Sequence, residues 1–368
     1  MKIVHIAYEH NSNDVRIYRK ECVSLSKRGN EVFYITSNKN YQEPVNDINV
    51  KKIIINLRGK KKIRLIHYYK DLFNILIDMD ADIYHFHENT LLPVIKKIKR
   101  RGKRVIYDMH ESPIELMDTN NVKVWRRLFL NLLAKYENSV LKCVDSVITV
   151  TPQYVEYAKK FNSTSLLITN YPIMKTTEEI HSFNNNNICF AGTISPNWHQ
   201  KEIIKALEKL SNVEFLLAGS IEKDYLEELQ RMPSWENVVF SGVIPFDQVK
   251  DLYKNSIAGI ALFKSGDIPE EGTLGNTKLF EYMSEGLPVI CTNYPLWKEV
   301  IEENNCGLCI DPDNVSEITD AIEYIMDNKN IARKMGENGR KAIERYYNWS
   351  KEEKKLFKLY DRMEAYYD

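Results

Sequence analysis

Short apolar runs alternating with amphipathic stretches constrain this chain more than any other feature. Lys2–Tyr8, Glu31–Thr36, Lys51–Ile55, Ile83–His87, Arg104–Asp108 and Ser146–Val150 read as strands. Between them, Val15–Arg28, Leu65–Met79, Leu91–Arg101 and Trp125–Leu141 carry apolar residues at helical spacing. Gly29 and Gly102 follow two of these helices, where a left-handed C-cap favours glycine. The rhythm breaks at Thr169-Asn170-Tyr171-Pro172 and the polar tract Thr176–Asn187, then restarts. Ile188–Ala191, Glu214–Ala218, Val238–Ser241, Ile257–Phe263 and Pro288–Thr292 are further strands, and Lys201–Leu210, Asp224–Met232, Phe246–Tyr253 and Lys278–Ser284 further helices. A strand–helix–strand rhythm predicts parallel sheets with right-handed crossovers. The expected fold is α/β, two doubly wound domains over 1–170 and 171–350 with the linker near 169–187. Ligands of such sheets lie beyond the carboxyl ends of the strands, so the crevice between the domains is the expected site.

The length of 368 residues suits two domains, each able to bury its own core. Hydrophobic residues at 43% and charged residues at 28% exclude disorder, collagen and coiled coil as the main state. The net charge of zero conceals a split: residues 1–170 hold 29 basic and 18 acidic side chains, the remainder 22 and 33. An anionic partner is expected for the first half, either a membrane surface or a phosphorylated acceptor. Basic tracts flank apolar helix faces at Arg58–Arg64, Lys96–Arg101 and Trp125–Phe129, which suits an anionic membrane surface. Those tracts are poor in stacking aromatics, so nucleic acid is not an expected partner. There is no apolar run of the length that spans a bilayer, and the expected location is cytoplasmic, at most peripheral to the inner face of the membrane. Cys306-Gly-Leu-Cys309 is a lone pair leading into an apolar run, and reads as buried thiols. Neither GxGxxG nor GxxxxGK[ST] is present, which argues against a dinucleotide dehydrogenase and a P-loop ATPase.

The stretch Gly275-Asn276-Thr277-Lys278-Leu279-Phe280-Glu281 is the most informative for chemistry. Small polar residues open a short helix whose free N–H groups and dipole suit a phosphate. Lys278 in the first turn is unfavourable for the helix alone, and a bound anion would account for it. Glu281, three residues on, stands on a neighbouring face and could accept hydrogen bonds from a ribose diol. His110 follows a strand at its carboxyl end. His85 and His87 flank Phe86 at strand alternation and share one face, yet spacing places no third ligand beside them, so no metal site is expected.

This stretch resembles the donor-binding motif of glycosyltransferase family 4, retaining enzymes of the GT-B fold with two facing Rossmann-like domains. Other segments resemble the family in order: Asp14-Val15-Arg16 with Lys20-Glu21, Asp82–Glu88, Val105–Glu111, Phe190–Ile194, Phe240–Pro245, Gly307–Pro312 and Tyr347–Ser350. The resemblance implies a transferase moving a sugar from a nucleoside-diphosphate sugar, UDP-linked in preference to GDP-linked, to a glycan or lipid-linked glycan acceptor of surface polysaccharide. It implies Glu281 on the ribose, Gly275, Asn276, Thr277 and Lys278 at the diphosphate, and Gly192, Thr193 and Lys201 nearby. Val243 and Ile244 would flank the base. His110 would face the donor sugar, with Glu111 beside it as a catalytic-loop residue. Thr273 stands where the family often has an acid, and Glu271 and Glu270 are close to it. Asp14, Arg16 and His87 would lie on the acceptor side. Helix 351–366 would pack back on the first domain, and no cofactor or divalent metal would be required. A nucleotide-sugar 2-epimerase and a non-catalytic nucleotide-sugar-binding subunit are alternatives on the same architecture.

Overall fold

A computed structural model describes residues 1–37, 49–110, 124–174, 185–264 and 270–365. The chain forms two compact units, Met1–Asn170 with Trp349–Asp368, and Tyr171–Asn348.

In the first unit, seven described strands pair in parallel in the order β3-β2-β1-β4-β5-β6-β7. They are β1 Lys2–Ile6, β2 Glu31–Ser37, β3 Val50–Ile55, β4 Ile83–Phe86, β5 Arg104–Met109, β6 Ser146–Thr149 and β7 Leu166–Leu167. Helices cover both faces, so the central strands are buried on both sides and read as continuous apolar runs. Polar residues that interrupt such runs are therefore conspicuous, and here they are His5, His85 and Asp108. One core layer holds Val4, Tyr84, Phe86 and Tyr107, the opposite layer Ile3, Ile83, Ile106 and Ile148.

The helix expected over 15–28 is not regular. Val15–Cys22 winds more widely, with the Arg19 N–H reaching back five residues to Asp14 O, before Val23–Lys27 continues as an α-helix. The wider turn widens the buried face, which takes in Arg16, Lys20 and Glu21 along with Ile17, Tyr18 and Cys22. Asp14 caps this helix, its Oδ1 accepting from the N–H groups of Arg16 and Ile17 at 2.9 and 2.8 Å. The C-terminal helix Trp349–Ala365 packs on the same layer through Leu356, Leu359 and Tyr360, while Trp349 Nε1 donates to Ser24 Oγ at 2.8 Å.

In the second unit, six described strands pair in parallel in the order β10-β9-β8-β11-β12-β13. They are β8 Ile188–Ala191, β9 Phe215–Ala218, β10 Val238–Phe240, β11 Ala258–Ala261, β12 Val289–Thr292 and β13 Gly307–Ile310. The helix expected over 201–210 is α-helical only over Gln200–Ala206 and tightens over Leu207–Lys209. Pro295–Glu303, Val315–Asp327 and Lys329–Arg345 add three described α-helices beyond those read from periodicity. Of the paired cysteines, Cys306 is buried and Cys309 half-buried, its sulfur 3.6 Å from that of Cys291 on the neighbouring strand. Each sheet reverses its order once, between β1 and β4 and between β8 and β11. Among the described residues, no helix is long and apolar enough to cross a membrane.

Candidate functional site

The second unit gathers its polar groups around the helix Thr277–Glu285. Asn276 caps it, accepting the Lys278 N–H at 3.0 Å, and Gly286 ends it with φ +76°. Leu279, Phe280, Tyr282 and Met283 bury one face, which leaves Thr277, Lys278 and Glu281 together on the other. Lys278 Nζ lies 2.8 Å from Glu281 Oε2, Thr277 Oγ1 donates to Oε1 at 2.7 Å, and the Tyr253 hydroxyl donates to Oε2 at 2.9 Å. Burial alone would raise the Glu281 pKa. The Lys278 charge and these donors outweigh it, so the carboxyl titrates below its ordinary range and stays ionised.

The loops that follow β8, β9 and β10 are laced together. Gly192 N–H donates to Ala218 O at 2.9 Å, and Gly219 N–H to Gly242 O at 2.7 Å. Gly219 has φ +143°, and a Cβ there would stand 1.6 Å from Gly192 O, so only glycine fits. A Cβ on Gly192 would lie 3.1 Å from Lys278 Cε, which places the lysine stem directly on this turn. The structure thus brings Gly192, Asn276, Thr277, Lys278 and Glu281 to one place. Gly275 sits just before the cap, its N–H bonded to Thr273 Oγ1 at 3.1 Å. Thr273 O accepts from Trp297 Nε1, and Glu271 is exposed with its carbonyl held by Leu296 N–H. Thr193 is exposed, Val243 is 76% exposed, and Ile244 packs against the core beside Tyr253. Lys201 goes elsewhere: its ammonium pairs with Glu228 and lies over the Tyr225 ring. Nothing in the sequence pattern points to Tyr253, because it comes from the separate helix Phe246–Lys254.

The first unit has its polar cluster at the carboxyl ends of β1, β4 and β5. A pocket of about 150 Å³ is lined by Glu9, His10, Glu88, Asn89, Thr90 and His110, with His87 at its floor. Glu88 Oε1 accepts from the N–H groups of Tyr8, Glu9 and His10 at 3.1, 2.7 and 3.2 Å, which shapes the loop after β1. Asp108, fully buried, binds Arg16 bidentately at 3.0–3.3 Å, His110 Nε2 at 3.0 Å and His87 Nδ1 at 3.2 Å. Burial would raise the Asp108 pKa, but the Arg16 and His110 charges and these hydrogen bonds hold it well below the usual carboxylate range. An ionised Asp108 makes Nε2 the protonated nitrogen of His110, an assignment from the network that leaves Nδ1 as an acceptor in the neutral ring.

Arg16 and His87, expected on the acceptor side, are buried and turned inward. Arg16 also donates to Ile168 O at 2.9 Å, so it holds Asp108 and presents no group to a ligand. Burial, outweighing Asp108, lowers the His87 pKa to about 4, so its ring is neutral. Asp14 pairs with His10 Nδ1 at 2.9 Å, and Glu111 lies outside the described residues. Sequence reasoning missed Asp108 and His10. A carboxylate inside the apolar run of β5 was the available signal.

The His10–Asp14 pair has a measurable consequence. Burial would lower the His10 pKa, but the hydrogen bond and charge of Asp14 raise it above 6.5 overall, while Asp14 falls to about 2. A raised folded-state pKa contributes stability present below 6.5 and lost as pH rises through the folded value. In an NMR titration, His10 of the wild type is expected to titrate above 6.5 and in Asp14→Asn below the wild-type value. Unchanged titration in the variant would refute the pairing.

Two Rossmann-like parallel-sheet domains, each with its polar groups gathered where strands end, make up the GT-B architecture. Family models agree over adjacent stretches: Glycosyltransferase Family 4 matches residues 19–166, and Glycosyl transferases group 1 matches 175–342. The chain belongs to glycosyltransferase family 4. An uncharacterized glycosyltransferase of Methanocaldococcus jannaschii is 23% identical over 335 residues, 81% of this chain and 79% of the relative. The putative glycosyltransferase YtcC of Bacillus subtilis is 25% identical over 190 residues, 47% of this chain and 44% of its own. Among solved structures, sucrose-phosphate synthase from Thermosynechococcus elongatus superposes with a TM-score of 0.77 at 14% identity, covering 99% of both chains. Anabaena HepE in complex with UDP-glucose gives 0.72 at 13%, covering 98% and 100%. WaaG, a glycosyltransferase involved in lipopolysaccharide biosynthesis, gives 0.70 at 14%, covering 96% and 98%.

Proposed function

We propose that the enzyme moves a sugar from a nucleoside-diphosphate sugar, UDP-linked in preference to GDP-linked, to a glycan or lipid-linked glycan acceptor, with retention of anomeric configuration. The observation that carries this reading is the ionised Glu281 beside Lys278 on the first turn of one helix, over the Gly192 turn. Glu281 keeps acceptor capacity for a ribose diol. Lys278 swings from Glu281 to the diphosphate, beside the N–H groups of Asn276, Thr277 and Thr193. Val243 and Ile244 flank the base. Charge on the departing diphosphate is stabilised by this lysine and the helix N-terminus. His110, oriented by Asp108, hydrogen-bonds the transferred sugar, and Glu271 and Thr273 are further candidates for contact with it.

The preference for UDP and the glycan acceptor are supported by the HepE complex and by the role of WaaG. An anionic membrane surface is supported by the basic first half and by the helix Val124–Leu141, where Leu128, Phe129 and Leu132 are exposed beside Lys135. Vesicles containing phosphatidylglycerol are expected to retain the protein and release it on adding salt. Salt-insensitive retention, or equal retention by neutral vesicles, would count against the electrostatic part.

A thermal-shift panel of UDP, GDP, ADP and their sugars tests the donor. A ligand at 100 times its Kd stabilises by about 2.7 kcal/mol. UDP and UDP-sugars are expected to raise the midpoint most, and Lys278→Ala to weaken the diphosphates far more than uridine. Equal losses for both would defeat the phosphate assignment. Product with an acceptor extract separates transfer from donor isomerisation and from binding alone.

A further inference from the structure

Beneath the pocket of the first unit, His5 of β1, His85 of β4, His87 just beyond it and Glu21 of the first helix meet, and all four are fully buried. Parallel pairing sets His5 opposite His85, and His87 is two residues further along the same face. The three rings lie 4.3–5.1 Å apart between centroids. Their nitrogens converge on one carboxylate oxygen. Glu21 Oε2 is 3.8 Å from His5 Nδ1, 3.7 Å from His85 Nδ1 and 4.0 Å from His87 Nε2, and His5 Nδ1 is 2.9 Å from His87 Nε2. Four ligands at the Zn–N and Zn–O lengths of roughly 2.0–2.1 Å in a tetrahedron stand about 3.3 Å apart. The observed spacings bracket that value.

The cluster is also unsatisfied. Among the described residues, neither Glu21 oxygen has a hydrogen-bond partner, nor has His85 Nε2, although all are buried. Arg16 Nε faces Glu21 Oε1 at 3.3 Å as an ion pair, whereas the histidine nitrogens lie against Oε2. A buried carboxylate among imidazoles that receives one ion pair and no hydrogen bond is costly, and a second cation lowers the cost. The surroundings fit ligands that need orienting: His87 turns its other nitrogen to Asp108 Oδ2 at 3.2 Å and His5 its Nε2 to the Tyr360 hydroxyl at 3.4 Å, while the same hydroxyl, 2.9 Å from His85 Nδ1, would have to release that nitrogen to an ion.

We propose that His5, Glu21, His85 and His87 bind one divalent transition-metal ion, Zn²⁺ by their ligand chemistry, as a closed structural site. Three imidazoles and one carboxylate are a donor set for such an ion and not for Mg²⁺ or Ca²⁺. The ion joins β1, β4, the first helix and, through Tyr360, the C-terminal helix. It also fixes His87 against Asp108, so its effect on the pocket is one of positioning. The inference is independent of which sugar or acceptor the enzyme uses.

The test uses the full chain without a histidine tag, passed over a chelating resin. Elemental analysis is expected to find about one zinc per chain. Stripping with dipicolinate is expected to lower the melting midpoint, and Zn²⁺ or Co²⁺ to restore it. Co²⁺ in the stripped protein is expected to give visible d–d absorption without thiolate charge transfer. Glu21→Gln and His85→Asn are expected to lose that spectrum, and His110→Ala to keep it. A stripped, folded wild type that takes up no Co²⁺ would overturn the proposal and leave a proton-sharing network in its place. Equal uptake by Glu21→Gln would overturn it as well, because the ion would then sit elsewhere.

Discussion

Replacing Glu281 by alanine is expected to weaken UDP and UDP-sugar binding by about 2–4 kcal/mol, roughly 30- to 1000-fold in Kd. Hydrogen bonds from two ribose hydroxyls to an ionised acceptor contribute about 1.5–3 kcal/mol each, part of which the remaining groups recover. Isothermal titration with UDP against 2′,3′-dideoxy-UDP checks the assignment. The variant should lose affinity for UDP and hardly any for the dideoxy compound. If both ligands lose equally, Glu281 does not hold the pentose. The substitution also strips Tyr253, Thr277 and Lys278 of their shared acceptor. Its effect on the unliganded protein has a defined sign. A depressed carboxyl pKa contributes stability present above the ordinary value of 4.5 and lost as pH falls through the folded value. Wild type and variant should therefore converge in stability on acidification. Divergence there would mean that the carboxylate is not stabilised by its partners.

Arg16→Met is expected to be the most damaging single change to the first unit, by about 3–5 kcal/mol. Removing one partner of a buried pair leaves the other charge without compensation. Here the ionised Asp108 loses its guanidinium, and the Ile168 carbonyl loses a donor. A urea titration followed by a probe confined to this unit should show an earlier midpoint. His110 should lose its fixed orientation along with Asp108, so kcat should fall while UDP affinity, carried by the second unit, holds. A variant that unfolds at the wild-type midpoint would mean that the carboxyl ends of β1, β4 and β5 are not held by this pair. Asp108→Asn gives a milder comparison, since it keeps the shape and removes the charge that Arg16 compensates.

The legible parts of the site were those whose partners are close in sequence. Asn276, Thr277, Lys278 and Glu281 lie within one and a half helical turns, so their meeting follows from helix geometry alone. Tyr253 completes the same cluster from a distant helix, and periodicity carries no information about which helices touch there. Lys201 shows the opposite failure. As the nearest cation after the Gly192 turn it was a reasonable phosphate partner, but Glu228 on the neighbouring helix holds it. The wide turn at Val15–Cys22 was likewise illegible, since regular spacing of apolar residues is satisfied by an ordinary helix.

Alternation of apolar strands with amphipathic helices, closed by glycine caps, determined by itself that two parallel-sheet domains would form, because burial on both faces admits few other solutions. The glycines after the strands and the capped turn at 276–281 likewise announced where an anion could bind. Tertiary structure alone decided which polar residues inside the apolar strands would meet. His5, Glu21, His85, His87, Arg16 and Asp108 are scattered over more than a hundred residues, and only strand order and register carry them to one point. Local propensity acts over a few residues. The meeting of distant charges depends on how sheets order their strands, which no short stretch encodes.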